Sequence, residues 1–375
     1  MFIKRLTLTN FRNYESADIY FKNGVNVIFG NNAQGKTNIL EAINFCSIGK
    51  SMRTKKEKEV IKMGQEFSKV KVEIQEEKSS RTIEIVFSKN NKKTVKINGI
   101  AIHRIGELMG ELPCVFFSPD ELKLIKESPE DRRRFMDIAI SQISKNYFYL
   151  LGKYEKVINQ RNKLLKSSSS IDVIKDSVFI WNEQLSAIGS KIIYMRKDFL
   201  EKLTPFAQLA HSYLTSSEEG LSLSYTGVSG DTVDEIKAKL LTSLNKSLEK
   251  DYKLGFTSVG PHRDDIKIIV NDIDIKAYGS QGQQKTTALS LKLAELEIIK
   301  NETGKMPILL LDDVFSELDG VRRKKLLNFC SKTQTLITST DNVKAELSDR
   351  ILNVDKANIN VLKWVYIWLK INNIL

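Results

Sequence analysis

Two glycines five positions apart, followed at once by a lysine and a hydroxyl, open the chemistry of this chain: Gly30-Asn31-Asn32-Ala33-Gln34-Gly35-Lys36-Thr37. Glycines let the backbone turn tightly and aim its N–H groups at phosphate oxygens, and a helix beginning there adds the positive end of its dipole. Lys36 can reach β- and γ-phosphates, and the Thr37 hydroxyl suits Mg²⁺. A second group stands far down the chain, where the apolar run Ile308-Leu309-Leu310-Leu311 ends in Asp312-Asp313. Carboxylates at the C-terminal end of a central parallel strand sit where such sheets bind ligands. Asp312 would hold Mg²⁺ directly or through water, and Asp313 could orient or deprotonate an attacking water. A third group, Tyr278-Gly279-Ser280-Gln281-Gly282-Gln283-Gln284, again offers a serine hydroxyl, a glycine-exposed backbone and a helix start to an anion.

These groups need elements to hold them. Val25 to Phe29 reads as a buried strand running into the loop, and Ile39, Leu40 and Ile43 mark one face of the helix behind it. Residues 1–117 otherwise alternate as strands: Leu6 and Leu8, Val70-Val72-Ile74, and Ile83-Ile85-Phe87, with turns at Lys89–Lys92 and Asn98-Gly99. From Ser118 the pattern becomes helical. Pro129 with Glu130-Asp131 suits a helix start, and a charged helical region continues to roughly residue 250, broken at Ser167–Ser170 and near Pro205. Strand patterning returns at Ile266, Ile268 and Val270, then a helix from about Gly282, the acidic strand, and a final helix and strands. The expected division is therefore 1–117 and 256–375 as two parts of one α/β core, with 118–255 inserted as a helical arm.

Composition sets bounds on the partner. With 58 basic and 46 acidic residues the chain carries +12, a balance that favours a polyanion but says nothing about fold. Cys46, Cys114 and Cys330 are far apart, which suggests reduced core thiols in a cytoplasmic protein. No run of about 18 apolar residues occurs, so no membrane span is expected. The tail Val361–Leu375 reads as a packed terminal helix, a partner-binding segment or a local irregularity of sequence.

The order of phosphate loop, Ser-x-Gly-Gln signature (Ser280, Gln281, Gly282, Gln283), acidic strand and the following Ser316-Glu317-Leu318-Asp319, similar to a D-loop, resembles the ABC-type ATPases. Leu8-Thr9-Asn10-Phe11-Arg12-Asn13-Tyr14 resembles the N-terminus shared by the RecF, Rad50 and SMC families. Further stretches resemble the RecF family in particular: Gly49–Thr54, Phe117–Asp120, Ser128–Phe135, Gly260-Pro261-His262-Arg263-Asp264-Asp265 and Gly279–Gln284. The resemblance extends over about residues 1–355.

That resemblance implies a two-lobed ABC-type ATPase head, like those of Rad50 and SMC proteins, with the helical insert as its arm. It implies ATP and Mg²⁺ as ligands, with Arg12 and Gly30 to Asn38 around the nucleotide. The signature would close over ATP held by a second subunit, so that two ATP molecules join a head-to-tail homodimer and slow, DNA-stimulated hydrolysis releases it. It further implies binding to duplex DNA beside single-stranded gaps and action with RecR and RecO in loading RecA, in the setting of repair, recombination and the SOS response. The residues are compatible with this: Lys50, Arg53, Lys55, Lys56 and Lys58 lie in one basic stretch and could contact DNA phosphates, a solvated charged face being the alternative. Arg132-Arg133-Arg134 fits salt bridges at the base of the arm better than DNA, and His262 has no evident partner for catalysis. Three departures stand out. Asp313 occupies the place of a glutamate in transporter ATPases, the strand Ile337-Thr338-Ser339-Thr340 has no switch histidine, and no Q-loop glutamine can be placed, Ser118 to Asp120 being the region to search. A Rad50- or SMC-like clamp head is the rival reading, disfavoured by the short insert and the lack of a zinc-hook CxxC; a transporter nucleotide-binding subunit is a third, disfavoured by the basic charge.

Overall fold

A computed structural model describes the chain apart from residues 55, 168–169, 217–218, 341–349 and 362–375. In chain order, β1 (Phe2–Phe11), β2 (Tyr14–Tyr20) and β3 (Val25–Phe29) lead to α1 (Lys36–Ile48), then β4 (Phe67–Gln75), β5 (Ser80–Ser88), β6 (Thr94–Ile97), β7 (Ile100–Ala101) and β8 (Cys114–Phe117). The middle holds α2 (Lys123–Lys126), α3 (Pro129–Ile143), α4 (Lys145–Ser167), α5 (Ile171–Thr215), β9 (Leu221–Thr226), α6 (Val233–Lys246), α7 (Leu248–Leu254), β10 (Asp265–Val270), β11 (Ile273–Asp274), α8 (Ile275–Tyr278) and α9 (Gln281–Thr303). Last come β12 (Ile308–Asp312), α10 (Gly320–Cys330), β13 (Thr335–Ser339), β14 (Arg350–Asp355) and β15 (Asn358–Val361). Two compact units result, one of residues 1–122 with 295–375 and one of residues 123–294.

In the first unit, the order β15-β14-β3-β13-β12-β8 makes one sheet, parallel except for β14 against β15. Val27, Ile28, Leu309, Leu310, Leu311, Leu336 and Ile337 are all buried, as expected of strands covered on both faces. A second, antiparallel sheet runs β2-β1-β4-β5-β6-β7. Its alternating residues Val70, Val72, Ile83, Ile85 and Phe87 are buried on one face, and Phe45 of α1 meets Phe87 edge-on with ring centroids 4.6 Å apart. α1 therefore has no solvated face of the kind its apolar spacing suggested. Glu41, Asn44 and Ser47 are buried along with Ile39, Leu40 and Ile43, because the helix touches strands of both sheets. The hairpin β6–β7 turns at Asn98 and Gly99, both at positive φ (51° and 81°), the conformation of a two-residue turn that favours asparagine and glycine.

The second unit is mainly helical, and three expectations change there. The break at Ser167–Ser170 separates α4 from α5, but α5 continues through Pro205 for 45 residues. Proline removes one backbone bond and crowds the preceding turn, at a cost of about 3 kcal/mol. Leu203 and Ala207 on either side of it are fully buried, and the Thr204 hydroxyl donates to the Leu200 carbonyl at 2.7 Å, so packing outweighs that cost. β9 also interrupts the region read as helical. Its alternation Leu-Ser-Leu-Ser-Tyr-Thr acquires meaning only when it pairs antiparallel with β10, some 40 residues on. Pairing with β10 also places residues 256–294 in this unit, so the boundaries expected at 118 and 255 fall at Lys123 and Ala294.

Cys46, Cys114 and Cys330 are buried free thiols. Burial pushes all three up, Cys114 and Cys330 to about 12. Among the described residues, no helix is long and apolar enough to cross a membrane. Val361 ends β15, and the remainder of the tail, 362–375, lies outside the described residues.

Candidate nucleotide site

The loop Gly30–Gly35 leaves β3 at the C-terminal end of the parallel sheet and enters α1. Gly30 is at φ 154°, and a Cβ there would lie 2.2 Å from the backbone oxygen of Val354, so the neighbouring strand itself demands glycine. Gly35, at φ 111°, would collide with Asn13 and with the Tyr14 hydroxyl. The first hairpin clasps the loop from outside. Asn13 Nδ2 donates to the Gln34 carbonyl at 3.0 Å, and Tyr14 Oη donates to the Gly35 carbonyl at 3.1 Å. Asn38 Nδ2 donates to Asn13 Oδ1 at 2.8 Å, and the Gln34 side chain accepts from Lys356 N–H. Asn31, Asn32 and Ala33 remain exposed at the tip, with Ala33 at φ 61°.

Lys36 is buried, its ammonium donating to the carbonyls of Gly30 and Asn31. Burial lowers its affinity for the proton, while Asp313 and Asp312 act in the opposite direction. Thr37 Oγ1 donates to Asp312 Oδ1 at 2.9 Å. The sheet order explains why these distant residues meet: β13 lies between β3 and β12, and its Thr338 stands in register with both Ile28 and Asp312. Thr338 Oγ1 donates to Asp312 Oδ1 at 2.7 Å and accepts the Asp313 N–H at 2.9 Å. Asp313 itself is at φ 51°, a left-handed turn that ends the strand and starts the turn Val314–Glu317. The open loop backbone, the lysine, and a hydroxyl paired with a carboxylate at the sheet's C-terminal edge fit a Mg²⁺-nucleotide. Sequence alone does not mark Thr338 as the group that holds Asp312. The missing histidine in its strand was the signal available.

Arg12, expected close to the nucleotide, forks onto Glu41 of α1 at 2.9 and 2.6 Å and donates to the Glu59 carbonyl at 3.1 Å. Glu41 is buried and also accepts from Ser51 at 2.6 Å, so its charge is fully engaged. In the segment expected to act as a D-loop, Leu318 is buried and Asp319 caps α10 by accepting from Arg322 N–H at 2.9 Å; the side chains of Ser316 and Glu317 lie outside the description. That backbone bond, more than any other contact, holds the Asp319 carboxyl below its usual range. Ser118, in the region where a Q-loop equivalent is expected, directly follows β8, whose Phe117 pairs with Leu311 beside Asp312.

The signature residues lie in the second unit, at the start of α9. Ser280 and Gln283 cap each other: Ser280 N–H donates to Gln283 Oε1 at 3.0 Å and Gln283 N–H to Ser280 Oγ at 3.2 Å. Among the described residues a Cβ on Gly282 would meet only Ser280 Oγ, at 3.9 Å, so none of them requires glycine there.

Of the basic stretch, Lys50 and Lys56 are exposed and Lys55 lies outside the described residues. Arg53 reaches Asn38 Oδ1 at 3.1 Å, and Lys58 Nζ donates to the Lys89 carbonyl at 2.5 Å. Lys56 and Lys58 line a groove of about 760 Å³ together with Asn90, Asn91, Lys92 and Lys93. Only tertiary structure brings that hairpin and the basic stretch together. Arg132 forms the salt bridge anticipated for it, a fork onto Asp265 at 2.6 and 2.9 Å, and Arg133 donates to the Asp264 carbonyl at 2.7 Å. His262 sits between Tyr154 Oη at 3.1 Å and the Thr257 carbonyl at 3.0 Å, where burial holds it down at about 4.

Three comparisons place this architecture among known proteins. The RecF/RecN/SMC N terminal domain model matches residues 2–363. The DNA replication and repair protein RecF of Alkaliphilus oremlandii is 44% identical over 344 residues, 91% of this chain and 93% of its own. RecF of Clostridium tetani is 44% identical over 354 residues, 93% of this chain and 96% of its own. A solved structure of the recombination mediator protein RecF with ATP, of the RecFOR pathway, is 38% identical with a TM-score of 0.89, over 96% of this chain and 98% of that one. The Smc head domain of Pyrococcus furiosus, 17% identical with a TM-score of 0.57, shares the fold. The chain belongs to the RecF family.

Proposed function

We propose that this RecF-family chain is an ATP-controlled DNA-binding switch, a recombination mediator whose two states are a nucleotide-joined dimer and a released monomer. The observation that carries the reading is the shared oxygen Asp312 Oδ1, approached by Thr37 from the phosphate loop and by Thr338 from the strand between. ATP would lie against the backbone of Gly30–Gly35, with Lys36 exchanging its loop carbonyls for phosphate oxygens. Thr37 and Asp312 would hold Mg²⁺, whose charge offsets that of the phosphates. Asp313 would orient the attacking water, and its short side chain suits a slow switch better than a motor.

The signature supports a site completed by a second copy. Ser280 and Gln283 form a finished cap, and Gly282 leaves the backbone open where no neighbour among the described residues needs the space. Closed over the partner's ATP, these residues would make dimerisation depend on nucleotide. Relatives named for replication, repair and the RecFOR pathway support the wider role. In that role the dimer binds duplex DNA beside single-stranded gaps and acts with RecR and RecO in loading RecA. A net charge of +12 and the lysine-lined groove suit a sequence-independent phosphate contact.

The test is to measure ATPase rate and mass by gel filtration, with and without ATP and gapped duplex DNA. ATP-dependent dimers and turnover raised by DNA are expected. Turnover indifferent to DNA at low salt would overturn the reading.

A further inference from the structure

Gln283 makes one contact that helix capping does not require: its Nε2 donates to Glu219 Oε1 at 2.7 Å. Glu219 is far from the signature in sequence, just ahead of β9, and its side chain is only 18% exposed. Its other oxygen faces His211 Nε2 at 3.2 Å, in the last turn of the long helix α5. His211 is fully buried, and its Nδ1 lies 3.1 Å from Ser290 Oγ on α9. The Ser290 hydroxyl also lies 2.8 Å from the Thr286 carbonyl, so it joins the ring to the helix backbone. A carboxylate only accepts, so Nε2–H donates to Glu219. The ring thus spans from α9 to Glu219, and Glu219 spans onward to the signature.

We infer that Glu219 is a positioning residue for the signature, holding the Gln283 side chain so that the cap on Ser280 is set before a partner arrives, with His211 orienting Glu219 from the end of the arm helix. The inference rests on the composite-site reading above for its functional consequence, but its structural half stands apart. Gln283 can keep Oε1 on the Ser280 N–H only while its amide plane is fixed, and the charge-assisted bond from Nε2 fixes it.

The experiment uses the full chain as wild type, Glu219→Ala and Glu219→Gln. Glutamine keeps an oxygen for Gln283 Nε2; alanine does not. Hydrogen exchange is read without nucleotide at the bonded amides of Ser280, Gln283 and Gln284. Exchange there should be about tenfold faster in Glu219→Ala and near wild type in Glu219→Gln. With ATP, nucleotide affinity of the monomer should stay within about twofold, since Glu219 does not touch the loop, while the dimer dissociation constant rises about tenfold in the alanine variant alone. Unchanged exchange in Glu219→Ala, or a glutamine variant as impaired as alanine, would overturn the inference. If wild type fails to dimerise with ATP, the composite-site reading fails, and the exchange result still judges Glu219.

Discussion

Thr338 Oγ1 donates to Asp312 Oδ1 at 2.7 Å while accepting the N–H of Asp313 at 2.9 Å, so a single hydroxyl on the middle strand holds the Asp312 carboxylate and the Asp313 backbone together. Thr37 from the phosphate loop converges on the same oxygen at 2.9 Å. The strand that lacks a switch histidine thus contributes a hydroxyl bonded to Asp312 and to the Asp313 backbone.

Thr338→Val should therefore impair hydrolysis more than binding. It leaves the Asp313 N–H without its acceptor, costing about 1–3 kcal/mol of stability, and frees Asp312 to reorient. Turnover is expected to fall about tenfold or more, with Thr338→Ser restoring most of it. Steady-state ATPase assays and denaturant melts on both variants check this. Wild-type turnover in the valine variant would remove Thr338 from the site.

Asp313→Asn is expected to bind ATP and dimerise but turn over at least about 100-fold more slowly. Asparagine tolerates the left-handed backbone at φ 51° as aspartate does, so the turn should survive and the loss will report the carboxylate. Single-turnover hydrolysis beside filter binding separates the two effects. Equal rates for wild type and variant would take Asp313 out of the reaction.

The two anion loops should respond differently to an added methyl. Gly30→Ala drives a Cβ to 2.2 Å from the Val354 oxygen and should lower both stability and nucleotide binding. Gly282→Ala meets nothing closer than 3.9 Å and should melt close to wild type, yet lose ATP-dependent dimers if a partner closes there. Thermal melts and sedentimentation with ATP distinguish them. A Gly282→Ala protein that dimerises normally would argue against signature closure.

The pH response near the end of the arm follows from two opposed groups. Burial depresses His262 from 6.5 to about 4, so its contribution to stability is lost as pH falls from 6.5 through 4. Burial raises Asp264 from 3.8 to about 6, so its contribution is present below 3.8 and lost as pH rises through 6. Each amounts to about 3 kcal/mol, and on acidification from pH 6.5 to 4 they offset one another. His262→Gln should gain about 3 kcal/mol relative to wild type over that interval, and Asp264→Asn should lose a similar amount. Urea melts at the two pH values read the difference. Parallel pH profiles for all three proteins would refute the assignment.

Much of the fold was legible because its signals are local. Period-two alternation marked β1, β4, β5 and β10, and the apolar run before Asp312 marked a strand covered on both faces. What sequence missed depended on partners far along the chain. β9 carries alternation as clear as β10 but stood in a charged helical context, and only the ladder between them fixes it. Pro205 looked like a helix break because its local cost is visible in sequence and the burial of Leu203 and Ala207 is not.

By itself the sequence determined the candidate phosphate loop, acidic strand and signature, since each is a short run in which neighbouring backbone and side chains would act together. Tertiary structure decided how they are tuned. Inserting β13 between β3 and β12 puts Thr338 on Asp312, folding the first hairpin over the loop makes Gly35 obligatory, and bringing the end of α5 to α9 ties Gln283 to Glu219. A hydrogen bond acts over about 3 Å, and no spacing along the chain encodes which distant residue will arrive within that distance.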